Sequence, residues 1–211
     1  MNKKLILIGA SGHGKVIADI AKRVGYAEIA FLDDGESVVH CAEYDVLGKS
    51  DSAKNYADCD FAVSIGNAQT RQKMIEKLES ADLPIVTLIH PNAVVAEDAK
   101  IGKGTVIMAG AVVSPCVEIG RGCIINTCAS VDHDCQIGNY VHVAVGAHVA
   151  GDVTVGDYTW IGAGSTVIND LTIVGKCMVG AGATVVKNIE EPGTYIGVPA
   201  RKVRADAEGE R

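Results

Sequence analysis

The sequence predicts two structural units in one chain, a small α/β domain followed by a parallel β-helix. Two observations carry this prediction. Isoleucine or valine stands at every sixth position from Ile89 to Val185, seventeen times without exception. The residues before about position 85 lack this period and instead alternate short apolar runs with helical patterns. We therefore expect domains at residues 1–85 and 86–190, with a C-terminal tail at 191–211.

The N-terminal part alternates predicted strands and helices. Apolar runs of strand length are followed by glycine or aspartate, and apolar residues on one helical face lie between them. The predicted elements are a strand at 5–8, a helix from about 16 to 24, strands at 29–32 and 61–65, and a helix around 74–78. This alternation is typical of a Rossmann-like parallel sheet, whose ligands bind at the carboxyl ends of the strands.

The period of six is typical of hexapeptide repeats. Three short strands form one triangular coil of about 18 residues, and the aliphatic residue of each hexad points into the prism. Seventeen hexads therefore predict between five and six coils. A purely structural solenoid is the alternative, but a histidine flanked by aspartates in mid-prism and a separate N-terminal domain favour an enzyme.

The charge, hydropathy and cysteine content of the chain argue against several classes of binding partner. The formal net charge of −7 argues against nucleic acid or an anionic membrane as the main partner. No run of 18 apolar residues is present, and Lys3-Lys4 leads directly into the first strand, so we expect neither a signal peptide nor a membrane span. Seven cysteines, without a C-x-x-C pair, are typical of reduced thiols in a cytoplasmic protein.

The glycine loop between the first strand and helix predicts a nucleotide-linked ligand. Gly9 to Lys15 fits the start of a P-loop, but Val16 replaces the Ser or Thr that binds magnesium, which argues against an NTPase. Asp33 lies where a dinucleotide fold has its ribose carboxylate, although the glycine spacing is G-x-x-G-x-G. Backbone N–H groups at a helix start can still hold a phosphate. A tight turn that only packs helix on strand is the alternative.

The hexad from Val131 to Gln136 carries the predicted chemistry, because His133 stands between Asp132 and Asp134. A carboxylate bonded to one imidazole nitrogen fixes the tautomer and makes the other nitrogen a better general base. Alternate strand residues face opposite ways, so one aspartate must reach the ring around a corner or from another subunit. A solvated ion pair without catalytic function is the alternative.

The other histidines and cysteines give weaker predictions of function than His133. His142 and His148 lie six apart, hence on different faces of the prism, which argues against a zinc site. His142, Trp160 and Met178 are each 18 residues apart and should form one column. A covalent mechanism through Cys128 ranks below general-base catalysis because a reactive thiolate needs a depressed pKa.

Seven segments of the chain form a recognisable set. They are G-A-S-G-H-G-K (9–15), F-L-D-D (31–34), S-I-G-N (64–67), I-N-T (125–127), V-D-H-D-C (131–135), V-H-V-A-V-G-A (141–147) and G-V-P-A-R (197–201). Together they resemble the left-handed β-helix sugar acetyltransferases. This family includes the PglD-type UDP-4-amino-sugar N-acetyltransferases and the NeuD-type sialic acid O-acetyltransferases. The resemblance implies a homotrimer, with acetyl-CoA along the prism between subunits and a nucleotide sugar in the N-terminal domain.

The resemblance also implies roles for single residues. His133 resembles the general base, Asp134 the carboxylate that polarises it, and Asn126 a polar residue near that histidine. The positions that contact the nucleotide sugar correspond to Gly12, His13, Gly14, Asp33, Asp34 and Gly66, and those along acetyl-CoA to His142, Ala163 and Ala181.

The implied reaction is direct N-acetylation of a 4-amino group on a UDP-linked sugar in bacterial glycan biosynthesis, without a metal. O-acetylation of a sialic acid, or a trimeric scaffold that binds a nucleotide sugar without catalysis, are the alternatives.

Overall fold

The computed structural model describes residues 3–203 of the chain. Each α-helix has 12 residues, and no helix in this range is long and apolar enough to cross a membrane. The N-terminal elements are β1 (Lys3–Ile8), α1 (Gly12–Arg23), β2 (Tyr26–Leu32), β3 (His40–Cys41), β4 (Tyr44–Asp45), a 3-10 helix (Ser50–Tyr56), β5 (Asp60–Val63) and α2 (Ala68–Glu79).

The N-terminal strands form a parallel sheet in the order β2-β1-β5, as the sequence predicted. Strand β1 is central because both of its faces are apolar. Leu5 and Leu7 pack in the cluster that contains α1, whereas Ile6 and Ile8 pack in the cluster that contains Ile75 of α2. The short hairpin β3-β4 and the 3-10 helix were not predicted, since neither segment has an apolar period.

The second part of the chain is a parallel β-solenoid of about six turns, which confirms the hexapeptide prediction. Strands one coil apart pair in parallel with a step of 18 residues. We name its three faces A, B and C. Face A contains Leu88–Ile89, Val106–Ile107, Ile124–Ile125, His142–Val143, Trp160–Ile161 and Cys177–Val179; face B contains Val94–Val95, Val112–Val113, Ser130–Val131, His148–Val149, Thr166–Val167 and Thr184–Val185; face C contains Lys100–Ile101, Glu118–Ile119, Gln136–Ile137, Thr154–Val155 and Thr172–Ile173.

The aliphatic column of each face fills the prism interior. From Ile107 to Val185, every sixth residue belongs to one buried apolar cluster. Ile89, Val95 and Ile101 are only partly buried, because they belong to the first coil and nothing stacks beyond them. Truncating an interior isoleucine to alanine would leave a cavity that costs about 2–5 kcal/mol of stability.

Residues beyond the last hexad extend face A. Gly193–Ile196 pairs in parallel with Cys177–Val179. Arg201–Lys202 then pairs with Gly193–Ile196 in antiparallel orientation. The first part of the predicted tail is therefore an added strand pair, and residues 204–211 lie outside the described range. The domain boundaries near 85 and 190 stay predictions.

The N-terminal domain packs on face A and on the corner between faces C and A, which we name corner CA. Val106 and Ile124 of face A share a buried cluster with residues of α1. Tyr140 at corner CA shares another with Ile75 of α2 and stacks on Tyr158 one coil further along. The edge between faces B and C, corner BC, lies opposite face A and faces away from this domain.

Candidate active site

His133 lies at corner BC with its side chain 59% exposed. Its Nδ1 is 2.8 Å from Oδ2 of Asp134, and its backbone N–H donates to Oδ1 of Asp132 at 2.8 Å. The hydrogen bond to Asp134, followed by the charge of Asp132, raises the pKa of His133 above its ordinary value. Because Nδ1 is bonded to Asp134, Nε2 is the nitrogen left to accept a proton.

The corner explains why Asp134, rather than Asp132, reaches the ring. Asp134 has φ of 60°, in the left-handed region, so the chain turns at this residue instead of continuing as a strand. Neighbouring side chains that a strand would send to opposite faces are thereby brought to one side. Aspartate is one of the few residues that adopts this conformation readily.

Gly151 lies one coil beyond His133 and supports the ring. A Cβ at this position would stand 2.6 Å from Cε1 and Nε2 of His133, so any side chain there would displace the imidazole. The sequence analysis missed this contact. The 18-residue step from His133 to Gly151 was the available signal, because that step gives the vertical neighbour of every residue in the prism.

His142 lies on face A, and its surroundings favour the neutral imidazole. Oδ1 of Asn126 accepts the backbone N–H of Thr127 at 2.8 Å, so the amide Nδ2 must donate to Nε2 of His142 at 2.9 Å. The proton of His142 is therefore on Nδ1, which is buried without a partner. Burial, followed by the charge of Arg71, lowers the pKa of His142 to about 3.

The structure thus pairs Asn126 with His142 and not with His133. Asn126 stands at the corner between faces A and B, corner AB, one corner away from His133. The prediction that Asn126 serves the catalytic histidine stays a prediction. His142, Trp160 and Met178 form the predicted column, and the rings of His142 and Trp160 are 4.2 Å apart.

His13, the second residue of α1, is a partly buried histidine. Burial, followed by the charge of Arg71, lowers its pKa to about 4, and its Nε2 is buried without a partner. The charge of His13 in turn lowers the pKa of His142, so the two imidazoles lie near each other where the N-terminal domain meets face A. We name the group of His13, Arg71 and His142 the junction.

The glycine-loop cleft opens at the carboxyl ends of β1, β2 and β5, with a volume of about 310 Å³. Asp33, Asp34 and Gly66 line it, as predicted. Asp33 also shapes it, because its carboxylate accepts the backbone N–H groups of Ala10 at 2.7 Å and Gly35 at 2.8 Å.

Asp34 has a further structural contact, whereas Gly12, His13 and Gly14 do not line the cleft. The carboxylate of Asp34 accepts the N–H and hydroxyl of Ser50, so it anchors the 3-10 helix. Gly14 permits the close approach of α1, because a Cβ there would lie 2.6 Å from the Gly9 carbonyl oxygen. Gly12 has open space around its Cβ direction and is exposed.

Ala163 and Ala181 stand at corner AB, one coil apart and exposed. Gly182 donates its backbone N–H to the Ala163 carbonyl at 2.9 Å, which continues the regular ladder of this corner. The two alanines and Asn126 thus line the same edge. Their predicted contact with acetyl-CoA stays a prediction.

The residues predicted as one site do not converge within one chain. The cleft and the junction lie against face A, and the alanine edge borders that face, whereas His133 lies on the opposite edge, at corner BC. Within residues 3–203, no group of three or more His, Cys, Asp or Glu side chains is placed to hold a metal ion. Five cysteines are buried and two, Cys116 and Cys128, are exposed, all as free thiols.

Two family models match the chain. Residues 4–78 match the PglD N-terminal domain, and residues 86–115 and 98–133 match the bacterial transferase hexapeptide, six repeats. A curated relative, UDP-N-acetylbacillosamine N-acetyltransferase of Bacillus subtilis, is 36% identical over 109 residues. That match covers 49% of this chain and only 50% of the relative's length.

Solved structures match almost the whole chain. The acetyltransferase domain of PglB from Neisseria gonorrhoeae is 36% identical with a TM-score of 0.92, over 96% of this chain and 100% of that one. The same domain has been solved in complex with acetyl coenzyme A. PerB from Caulobacter crescentus, solved with CoA and GDP-perosamine, is 33% identical with a TM-score of 0.89, over 95% and 97% of the two chains.

Proposed function

This chain belongs to the left-handed β-helix, hexapeptide-repeat acetyltransferases that carry a PglD N-terminal domain, and we propose that it acetylates the 4-amino group of a nucleotide-linked sugar with acetyl-CoA. The observation that carries the proposal is the His133–Asp134 pair at 2.8 Å, exposed at a corner of the prism. A buried pair would be inaccessible to two large substrates.

In the proposed reaction, the sugar amine attacks the thioester carbon while Nε2 of His133 takes its proton. The carbon–sulfur bond then breaks, CoA leaves as a thiolate, and the proton on His133 is available to neutralise it. Asp134 accepts the Nδ1 hydrogen, stabilises the imidazolium and keeps Nε2 free. General-base assistance is worth about 100- to 10,000-fold. Backbone N–H groups at the corner are proposed to stabilise the oxyanion.

The nucleotide sugar is proposed to bind in the glycine-loop cleft. Gly12, His13 and Gly14 at the start of α1 supply the helix N-terminus that suits a phosphate, and Asp33 and Asp34 supply carboxylates for ribose or base. The rim at Gly66 is open around its Cβ direction. The Bacillus subtilis relative supports UDP, whereas the Caulobacter crescentus structure contains GDP-perosamine, so UDP is the finer part of the proposal.

Acetyl-CoA is proposed to lie along corner AB, past Ala163 and Ala181. The Nδ1 of His142 has no hydrogen-bond partner among residues 3–203, and we propose that its N–H donates to a carbonyl oxygen of the pantetheine arm. Small side chains at the two alanine positions leave backbone groups accessible to an extended ligand. Asn126 would act by holding His142 in the donor tautomer.

We propose a homotrimer, and the separation of these parts supports it. Because corner BC is opposite the face that carries the N-terminal domain, a single chain offers its cleft and its general base to different regions of solvent. A second copy that places its corner BC against the cleft and corner AB of the first would complete the site. Three such contacts around a closed ring need a cyclic trimer.

The proposal is tested by CoA release from acetyl-CoA with a panel of acceptors. The panel contains UDP-, GDP- and dTDP-linked 4-amino sugars, their 4-hydroxy counterparts, and free and CMP-linked sialic acid. We expect turnover with a 4-amino sugar, fastest for UDP, and none with its 4-hydroxy counterpart. Turnover of sialic acid alone would establish the O-acetyltransferase alternative. Tight binding of a nucleotide sugar without CoA release would establish the non-catalytic scaffold.

A further inference from the structure

Arg71 of α2 is fully buried, yet its partners are carbonyl groups and not a carboxylate. No ion pair among residues 3–203 includes it. Its Nε donates to the Gly122 carbonyl at 2.6 Å and its Nη2 to the Tyr140 carbonyl at 2.9 Å. Its Nη1 donates to the carbonyls of Ile65 at 2.9 Å and Gly66 at 2.7 Å.

These four acceptors belong to two different parts of the molecule. Ile65 and Gly66 form the rim of the glycine-loop cleft. Gly122 and Tyr140 are at corner CA in consecutive coils of the prism. One planar guanidinium therefore joins the cleft rim directly to the prism, with all of its nitrogens engaged on the two sides.

A buried cation is costly to maintain, since burial removes its hydration. Cohesion alone does not require one, because apolar clusters already hold the N-terminal domain on face A and corner CA. The specific property of arginine is its rigid fork of donors, which fixes the acceptors relative to one another. The buried guanidinium of Arg71 therefore acts mainly by fixing the relative positions of the carbonyl groups that it binds.

We propose that Arg71 is a positioning residue that fixes the cleft rim, Ile65–Gly66, to the prism and thereby sets where a bound nucleotide sugar presents its amine to the acetyl donor. This inference rests on the proposed function, since the sugar and the acetyl donor are the ligands it assigns to the two parts. The prism carries both the acetyl-CoA edge and the general base, so a shift of the rim changes the sugar's position relative to both.

Arg121 provides a matched control. It lies at corner CA, pairs with Glu79 of α2 at 2.6 Å and stands 5.9 Å from the centre of the Tyr140 ring. It thus links α2 to corner CA, but it makes no hydrogen bond or ion pair with Ile65 or Gly66. Loss of Arg121 should weaken domain cohesion without releasing the rim.

The test compares Arg71→Met, Arg71→Lys and Arg121→Met in the full chain. For each, kcat, the KM for the nucleotide sugar, the KM for acetyl-CoA and the Tm are measured. For Arg71→Met we expect at least a tenfold rise in the sugar KM, at least a tenfold fall in kcat, and a KM for acetyl-CoA within twofold of wild type. Arg71→Lys, which keeps the charge but not the fork, should recover only part of this loss.

Arg121→Met should lower the Tm while leaving both KM values within twofold. Equal changes of the sugar KM in Arg121→Met and Arg71→Met would overturn the proposal, because domain cohesion would then explain both. Wild-type sugar KM and kcat in a folded Arg71→Met would also overturn it.

A substrate-free measurement separates this inference from the proposed function. Amide hydrogen exchange of the segment 60–70 should be at least tenfold faster in Arg71→Lys than in wild type, and unchanged in Arg121→Met. This readout covers the case in which Arg71→Met does not fold, and it stands even if no acceptor is turned over. Unchanged exchange in Arg71→Lys would show that the rim does not depend on Arg71.

Discussion

Corner BC and the junction use the same residue type in opposite ways. At corner BC, His133 is exposed beside carboxylates, and its pKa is raised. At the junction, near Arg71, His13 is partly buried and His142 is buried, and their pKa values are lowered to about 4 and 3. The comparison teaches that surroundings, and not residue identity, distinguish the proposed proton acceptor from histidines that stay neutral.

The largest expected effect comes from removing the proposed proton acceptor, His133. His133→Ala should lower kcat by about 100- to 10,000-fold, because general-base assistance is lost while the aliphatic interior of the prism is untouched. Steady-state CoA release measures kcat, and the elution volume in size-exclusion chromatography checks that the variant keeps the assembly of the wild type. His148→Ala, which removes an exposed imidazole from face B, is the control and should keep kcat within twofold. A loss of less than tenfold in His133→Ala would make the general-base assignment wrong.

The next effect concerns the glycine-loop cleft. Asp33→Ala should raise the dissociation constant of the nucleotide sugar by about 10- to 150-fold, since a charged hydrogen bond to ribose or base is lost. The affinity for acetyl-CoA should stay within twofold. Isothermal titration with each ligand separately measures both constants.

Asp33 also holds the backbone of Ala10 and Gly35, so a second variant is needed to separate ligand contact from loop geometry. Gly12→Val places a side chain where no atom lies within 4 Å of the Cβ position, so it should leave the fold unchanged and still weaken sugar binding. Parallel losses for both ligands would mean that the N-terminal domain shapes the whole site. Unchanged sugar binding in both variants would place the sugar elsewhere.

A smaller effect separates orientation from proton transfer at corner BC. Asp134→Asn should lower kcat by about tenfold, less than His133→Ala does. The amide stabilises the imidazolium less, so the pKa of His133 falls and the acidic limb of the kcat/KM profile moves to lower pH. A pH series from 5 to 9 measures this shift.

Asp170→Asn serves as the control, because Asp170 occupies the position equivalent to Asp134 two coils further along corner BC. It should change neither kcat nor the pH of the acidic limb. If Asp134→Asn kept the wild-type profile and Asp132→Asn moved it, Asp132 would be the partner that matters.

The last expected effect is on stability at the junction, and not on turnover. Because the folded pKa values of His13 and His142 lie below 6.5, the unfolded chain binds protons between pH 6.5 and 4 that the folded chain does not. The free energy of unfolding should therefore fall as the pH falls through this window, by up to about 1.4 kcal/mol per pH unit for each histidine.

Urea unfolding of wild type and His142→Gln at several pH values tests this expectation. His142→Gln should show a shallower decline of the unfolding free energy between pH 6.5 and 4, and His148→Gln the same decline as wild type. An equal slope in wild type and His142→Gln would mean that His142 is protonated in the folded state.

The fold was predictable where the pattern repeats. The period of six predicted the prism, its interior and the 18-residue columns, because each residue's direction in a coil depends on its own hexad. The parallel order of β1, β2 and β5 was also predictable from apolar runs. The hairpin β3-β4 and the 3-10 helix were not, since their conformations depend on contacts with the sheet and not on a local period.

The candidate site was predictable in its residues but not in its contacts. The sequence placed His133 beside two aspartates and could not choose between them from strand alternation alone. The positive φ of Asp134 decides that choice, and it is a property of the corner. Asn126 was grouped with His133 on resemblance, yet in one chain its amide donates to His142, which lies 16 residues further on and on the adjacent face.

The sequence by itself determined the two-unit architecture, the aliphatic prism and the residue types that suit acyl transfer, because short-range periodicity and composition suffice for these. Only the tertiary structure decided how the units are joined. Arg71 carries no recognisable signal in the sequence, and its acceptors lie 5 to 69 positions away. Its role arises from the packing of α2 against corner CA, which brings distant carbonyl groups within hydrogen-bonding distance of one side chain.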